Sequence, residues 1–108
     1  MVAPTSSERW IAVARLEDLA EGSIIAAKAG ERELVIVRHQ GSIYALASVC
    51  PHRGGSLAAG KLQCGELTCP LHGFRYDLAS GEATMPLDVP GVRTYKVRTE
   101  GGQLLVRL

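Results

Sequence analysis

The chain has 108 residues, of which 46% are apolar and 21% are charged, a balance typical of one globular domain. Twelve basic and eleven acidic residues leave a net charge of +1 without a block of like charge. This excludes nucleic-acid binding that rests on electrostatics alone. No apolar run approaches the roughly 18 residues of a membrane span, and the first nine residues lack the apolar segment of a signal peptide. We therefore expect a cytoplasmic protein with a single domain, residues 1–108.

Alternating apolar residues, twelve glycines and five prolines predict short strands joined by tight turns. A bend or a single helical turn is predicted at residues 16–19. The predicted strands are residues 10–14, 24–28, 33–38, 42–46, 92–98 and 103–108. Between about Val49 and Ser80 the alternation breaks, and cysteine, histidine, proline and glycine become concentrated. The sequence therefore predicts an all-β scaffold with an inserted subdomain at about residues 49–80.

Two short motifs in this insert combine cysteine with histidine. They are Cys-Pro-His at residues 50–52 and Cys-Pro-Leu-His-Gly at residues 69–73, and sixteen residues lie between His52 and Cys69. Each motif places a thiol and an imidazole in one tight turn. Two sulfur and two nitrogen ligands suit either one zinc ion or an iron–sulfur cluster with mixed ligands. An odd number of cysteines without a sign of secretion disfavours a disulfide framework and favours metal ligation or redox chemistry as the use of the thiols.

With this spacing the sequence resembles the Rieske 2Fe–2S proteins, and most closely the small soluble Rieske-type ferredoxins. The resemblance covers nearly the whole chain and includes residues 50–55, 69–77, 80–83 and the proline-containing loop 86–90. It implies a Rieske fold, in which an antiparallel β-sandwich scaffold carries a small inserted cluster-binding subdomain. It also implies one 2Fe–2S cluster, with the two cysteines on one iron and the two histidines on the other. The implied ligands are Cys50, His52, Cys69 and His72.

The function implied by the resemblance is that of a soluble one-electron carrier. Such a carrier takes electrons from an NAD(P)H-dependent flavoprotein reductase and passes them to a terminal oxygenase of the aromatic-ring dioxygenase type. We expect transient contacts with both proteins, no nucleic-acid or membrane partner, and a monomer. The chain has three histidines, so only His39 would remain for a mononuclear iron that needs two histidines and a carboxylate. No G-x-G-x-x-G motif for a dinucleotide is present either, and no catalytic site of its own is expected.

Two departures from the quinol-oxidising Rieske proteins bear on the reduction potential. Those proteins carry an extra cysteine in each loop, where this chain has Gly55 and Leu71, so no bridging disulfide is expected. They also carry a serine where this chain has Phe74, although the tyrosine position is kept as Tyr76. With one hydroxyl donor missing, we expect a potential in the lower part of the Rieske range of about −150 to +300 mV.

Two alternatives remain open from the sequence. Small Rieske subunits of assimilatory NAD(P)H nitrite reductases have a similar size and similar loops, and they are bound permanently to a larger partner. A zinc-stabilised interaction module would use the same four ligand residues but would be colourless and free of acid-labile sulfide.

Other residues near the motifs can be interpreted either as ordinary structural or surface residues or as functional ones. Cys64 has no partner in the ligand pattern and is interpreted as a small buried or partly exposed cysteine, with redox sensing as the alternative. His39, at a strand end, is interpreted as a surface histidine. Arg53, Lys61 and Arg75 are either solvated charges or part of a docking surface for a partner.

Overall fold

The computed structural model describes residues 10–49, 56–70, 73–85, 87 and 89–107. Within these ranges the chain forms ten β-strands and two single-turn 3₁₀ helices, Leu16–Asp18 and Leu57–Ala59. The strands are β1 (Trp10–Arg15), β2 (Ile24–Ala29), β3 (Arg32–His39), β4 (Ser42–Ala47), β5 (Lys61–Gln63), β6 (Glu66–Thr68), β7 (Arg75–Asp77), β8 (Ala83–Met85), β9 (Thr94–Glu100) and β10 (Gln103–Arg107). The predicted all-β class is confirmed. None of the described helices is long and apolar enough to cross a membrane.

The strands form two antiparallel sheets. The larger sheet has the order β1-β10-β9-β4-β3-β2, and the smaller sheet has the order β5-β6-β7-β8. Strands β1 and β2, at the two edges of the larger sheet, also contact each other, so this sheet curls towards closure. The smaller sheet is the inserted one, since its four strands lie between β4 and β9 in the chain.

Strand β3 contributes to two hydrophobic cores, one on each of its faces. Leu34 and Ile36 pack into a core made of residues from the larger sheet together with Leu19. Val35 and Val37 pack into a second core that also contains residues of the smaller sheet. This alternation follows the two-residue period of a strand. All four side chains are fully buried, and each burial stabilises the fold by roughly 1.5–3 kcal/mol.

Three hairpins are closed by two-residue turns in which both residues have positive φ. These turns are Gln40-Gly41, Cys64-Gly65 and Gly101-Gly102, with φ between 51° and 80°. Two positive φ values in succession match the twist of antiparallel strands and define a type I′ turn. The predicted strands 33–38 and 42–46 are therefore joined by a hairpin turn at Gln40-Gly41, and its register pairs His39 with Ser42.

The side chain of Glu21 holds the first of these turns. Its carboxylate accepts hydrogen bonds from the backbone N–H groups of Gln40 and Gly41, the latter at 2.9 Å. These two hydrogen bonds, helped by the nearby Arg38 and His39, hold the pKa of Glu21 below its ordinary value of 4.5. Hydrogen bonding to the ionised form favours that form.

Substitution of Glu21 by glutamine is expected to weaken the pH dependence of stability in acid. Because the pKa is lower in the folded protein, the charged carboxylate stabilises the fold at neutral pH, and this contribution is lost as the pH falls below about 4.5. Urea unfolding at pH 7 and pH 4 measures the effect. The wild type should lose more stability between the two pH values than Glu21→Gln, whereas Glu31→Gln should behave like the wild type. Equal losses in wild type and Glu21→Gln would contradict this role.

The sequence did not predict the strands of the smaller sheet. Each of β5 to β8 has only three residues, too few to show a clear alternation. The last of them ends at Met85, so this sheet reaches beyond the Ser80 boundary of the predicted insert. The predicted strand at residues 92–98 begins at Thr94, because the backbone of Val92 bonds to Gly81 and that of Arg93 to Ala47.

Candidate metal centre

Cys69 lies directly after β6, at the start of the second predicted ligand loop, and is 2% exposed. It belongs to the core that contains residues of both sheets, together with Leu67 and Tyr76. Its N–H donates to the carbonyl of Phe74 at 2.7 Å, and its carbonyl accepts from the N–H of Gly73 at 3.0 Å. These bonds close the base of the loop and fix the backbone that carries the thiol.

The other three predicted ligands, Cys50, His52 and His72, lie outside the described residues. The same is true of Arg53, Gly55 and Leu71. No group of three or more metal-ligating side chains occurs in the part of the chain that is described. The four-residue ligand assignment therefore stays a prediction.

The two ends of the first ligand loop are nevertheless described. Val49 and Ser56 form an isolated antiparallel bridge, and the N–H of Leu57 donates to the carbonyl of Ser48 at 2.7 Å. The Ser56 side chain in turn accepts from the N–H of Ala58, where it caps the second 3₁₀ helix. Both ligand loops thus start and end at hydrogen-bonded backbone.

Beside Cys69 lies a cavity of about 290 Å³. Its lining residues are Ala59, Gly60, Lys61, Thr68, Cys69, Pro70 and Gly73. Gly73 has a φ of +72°, a backbone conformation that favours glycine. A Cβ there would meet nothing within 4 Å, so the reason for glycine is the backbone conformation and not a lack of space. The Thr68 hydroxyl is buried without a hydrogen-bond partner in the described part of the chain. The buried Cys69 thiol thus lies beside a cavity, and Gly73 adds no side chain to that cavity. This arrangement fits a metal group that is ligated by sulfur.

Gly60 is a residue of this site that the sequence did not single out. A Cβ at Gly60 would lie 2.2 Å from the carbonyl oxygen of Thr68, the residue before Cys69. Glycine is therefore needed for β5 to pair closely with β6 at the cysteine. Nothing in the local sequence indicates this, because the contact depends on how two separate strands meet.

Tyr76 and Phe74 occupy the two positions on which the predicted potential depends. Tyr76 is fully buried in the core that includes Cys69, and Phe74 is partly buried against the same core. Phe74 thus places an apolar ring against the core that contains Cys69.

Cys64 lies at the far end of the β5–β6 hairpin from Cys69. Gln63 pairs with Glu66 next to the turn, whereas Lys61 pairs with Thr68 next to Cys69. Cys64 is exposed, forms no disulfide, and has a φ of +51°. It lines a shallow cleft of about 370 Å³ together with the half-buried His39 and with Asp77. Cys64 thus serves as a turn residue; the cysteine expected to be buried or partly exposed is exposed.

Replacement of Cys64 by asparagine is expected to stabilise the fold by about 1 kcal/mol. Left-handed backbone strains most side chains by about this amount, whereas asparagine adopts it readily and Asn-Gly is a preferred type I′ turn. The midpoint of urea unfolding measures the gain. Cys64→Ser removes the thiol but keeps the strain, so it should be nearly neutral. An equal gain in stability from Cys64→Ser would show that removal of the thiol, and not relief of backbone strain, stabilises the protein.

Asp77 has a structural role in the smaller sheet. Its carboxylate accepts hydrogen bonds from the N–H of Ser80 at 2.9 Å and from the hydroxyl of Ser80 at 3.1 Å. The Ser80 hydroxyl also accepts from the N–H of Glu82 at 3.1 Å. These bonds hold the turn between β7 and β8.

Known proteins resemble this chain over nearly its whole length. The model of the Rieske [2Fe-2S] domain matches residues 9–96. The ferredoxin component of the naphthalene 1,2-dioxygenase system of Pseudomonas aeruginosa is 30% identical over 102 residues, which are 94% of this chain and 98% of that protein. The ferredoxin of carbazole 1,9a-dioxygenase from Nocardioides aromaticivorans IC177 has a TM-score of 0.84 at 34% identity, covering 91% of this chain and 96% of that one. A chain from the complex of reduced oxygenase and oxidized ferredoxin in carbazole 1,9a-dioxygenase has a TM-score of 0.80 at 27% identity, with coverages of 91% and 92%.

These findings decide the question that the ligand types left open, in favour of one Rieske 2Fe–2S cluster over a structural zinc ion. Both named relatives are ferredoxin components and not catalytic subunits. These names agree with the prediction of a ferredoxin-type component and not of a catalytic subunit. The two antiparallel sheets, the buried Cys69 and the match over residues 9–96 show that this chain belongs to the Rieske [2Fe–2S] family.

Proposed function

We propose that the chain is a one-electron carrier that takes electrons from an NAD(P)H-dependent flavoprotein reductase and delivers them to a terminal oxygenase of the aromatic-ring dioxygenase type. The observation that supports this most strongly is the extent of the likeness. It covers 94% of this chain and 98% of a dioxygenase ferredoxin component. We place this carrier in the cytoplasm, where a reductase has access to NAD(P)H.

Four side chains hold the cluster in this proposal: Cys50, His52, Cys69 and His72. When bound, the cluster supplies a one-electron couple. Neutral imidazoles at two of the four ligand positions reduce the negative charge of the ligand set, so an added electron is accommodated more easily than beside four thiolates. Burial of Cys69 and the hydrogen bonds at the loop base hold the thiolate in a fixed position, which limits structural change during electron transfer.

The residues around Cys69 favour a low potential for a Rieske protein. Hydrogen bonds to the sulfur atoms stabilise the reduced, more negative state, and Phe74 provides an apolar ring where a hydroxyl would donate one. Gly55 and Leu71 leave no cysteines for a disulfide between the loops. A low potential suits reduction by NAD(P)H through a flavoprotein and is unsuited to the oxidation of quinol.

An omission assay tests the proposal. The holo-protein is combined with the ferredoxin reductase and the Rieske oxygenase purified from its own host, together with NADH and an aromatic substrate of that oxygenase. Product formation should require the wild-type chain, and Cys69→Ser should not replace it. Unchanged product formation without the chain would contradict the carrier role. Permanent co-purification with a sirohaem-containing protein would instead support the nitrite reductase subunit.

A further inference from the structure

Four side chains lie in one row across the smaller sheet at the end that carries Cys69; three of them are exposed, and Thr68 is partly buried with its hydroxyl inside. The strand registers pair Lys61 with Thr68, Thr68 with Arg75, and Arg75 with Met85. Lys61, Arg75 and Met85 are exposed. On β5, β6 and β7 the neighbouring residue of each strand faces the core, as the two-residue period requires; these residues are Leu62, Leu67 and Tyr76. The pairing of β7 with β8 shifts between Arg75 and Tyr76, so Met85 lies opposite Arg75 and is exposed although Ala83, two residues before it, is buried. The row therefore belongs to the outer surface beside the second ligand loop.

This end of the sheet also exposes large apolar side chains. Met85 is 55% exposed and Leu87, just beyond β8, is 81% exposed. The remaining exposed large apolar residue of the described chain is Val49, at 52%, next to the first ligand loop. Large apolar side chains that remain in water near a functional site are typical of the centre of a protein–protein contact, where methionine and arginine are enriched.

The charges at this end are positive. Lys61 and Arg75 lie two strands apart, about 10 Å, and the two ion pairs of the described chain, Arg15–Glu17 and Arg98–Glu100, involve neither of them. The carboxylates of the smaller sheet lie further towards its opposite end; they are Glu66, Asp77 and Glu82.

We propose that the loop-end surface, defined as Lys61, Arg75, Met85 and Leu87, docks an acidic rim around an apolar patch on the oxygenase. This rests on the proposed carrier function. A second copy of the chain would bring the same cations face to face, so the charge disfavours self-association at this surface. Opposite charges at the rim accelerate encounter with the partner, and the apolar centre holds the complex after the cations have oriented it.

Stopped-flow electron transfer from the reduced holo-protein to two acceptor proteins of opposite charge tests this surface. The probes are cytochrome b5, which is acidic, and cytochrome c, which is basic. The double variant Lys61→Glu/Arg75→Glu is compared with Lys96→Glu/Arg107→Glu on the β9–β10 hairpin, which changes the net charge equally. Each rate constant is measured between about 20 and 200 mM ionic strength, across which charge screening changes strongly.

The wild type should react faster with cytochrome b5 at low salt, and this rate should fall as salt increases. At low salt, the loop-end double variant should react with cytochrome b5 about tenfold more slowly than the wild type. The hairpin double variant should react less than about threefold more slowly. Leu87→Ser should lower the rate with cytochrome b5 by a similar factor at every salt concentration. Equal losses in the two double variants, or a wild-type rate with cytochrome b5 that rises with salt, would overturn the proposal.

These outcomes are independent of the identity of the natural acceptor. Both probes are acceptors of known charge that stand outside any dioxygenase system, so the rates report on the location of charge around the site. If product forms without the chain in the omission assay, the oxygenase is excluded as the partner, but the charge dependence measured by stopped flow still holds. Failure of the stopped-flow test would remove the loop-end surface and leave the carrier function intact.

Discussion

Replacement of Cys69 by serine is expected to give a colourless protein that keeps its β-sheets but contains neither iron nor acid-labile sulfide. Serine has almost the size of cysteine, and the backbone bonds of residue 69 to Phe74 and Gly73 do not depend on the side chain. The hydroxyl does not supply the thiolate that ligates iron. Iron and sulfide assays, visible absorption and far-UV circular dichroism measure the result.

The matched control is Cys64→Ser, the same substitution at the exposed turn at the far end of the β5–β6 hairpin. This variant should keep the colour, the iron and the sulfide of the wild type. Two irons per chain retained in Cys69→Ser would show that Cys69 is not a ligand. Loss of the cluster from both variants would show that it is sensitive to any change in this hairpin.

Replacement of Gly81 by alanine is expected to cost more than about 2 kcal/mol of folding free energy. Gly81 has a φ of +75°, and a Cβ there would lie 2.1 Å from the carbonyl oxygen of Val92 and 2.9 Å from Cγ2 of Thr94. The N–H of Val92 also donates to the carbonyl of Gly81 at 2.7 Å, so the two segments are tied together at this point. The new methyl group would force apart the start of β9 and the turn before β8.

Gly22→Ala separates the two causes of this loss. Gly22 has a nearly equal φ of +79°, but a Cβ there would meet nothing within 4 Å. It should cost only the strain of the left-handed backbone, about 1 kcal/mol. Urea unfolding of both variants gives the difference, which measures the clash with Val92. Equal destabilisation of the two variants would mean that the backbone at Gly81 moves away without cost.

The larger sheet was predictable from the sequence because its strands are long and alternate clearly. Residues 33–38 sit in a strand of eight residues whose four central side chains are buried on alternating faces. The smaller sheet was not predictable, because its strands have three residues each and are separated by glycine, proline and the ligand motifs. Its single inward row, with Leu67 and Tyr76 at the centre, exists only after four distant segments pair.

The metal-binding chemistry was indicated by the sequence, since two thiols and two imidazoles at fixed spacing restrict the possible metals to a few. The residues around the metal centre could not be predicted from the sequence, because strand pairing brings them together. Gly60 contacts Thr68, and Lys61 shares a row with Arg75, only through the order β5-β6-β7. Cys64 was also missed as a turn residue, because Cys-Gly lacks the asparagine or aspartate that usually marks a type I′ turn.

The most direct test of the cluster assignment is electron paramagnetic resonance of the anaerobically purified, reduced protein, combined with a redox titration. We expect a rhombic signal with a low average g value, accounting for one electron per two irons. It should titrate in the lower part of the Rieske range of about −150 to +300 mV. A clearly positive potential would contradict the proposed carrier that is fed by NAD(P)H. The absence of a signal, with zinc found by elemental analysis, would contradict the cluster itself.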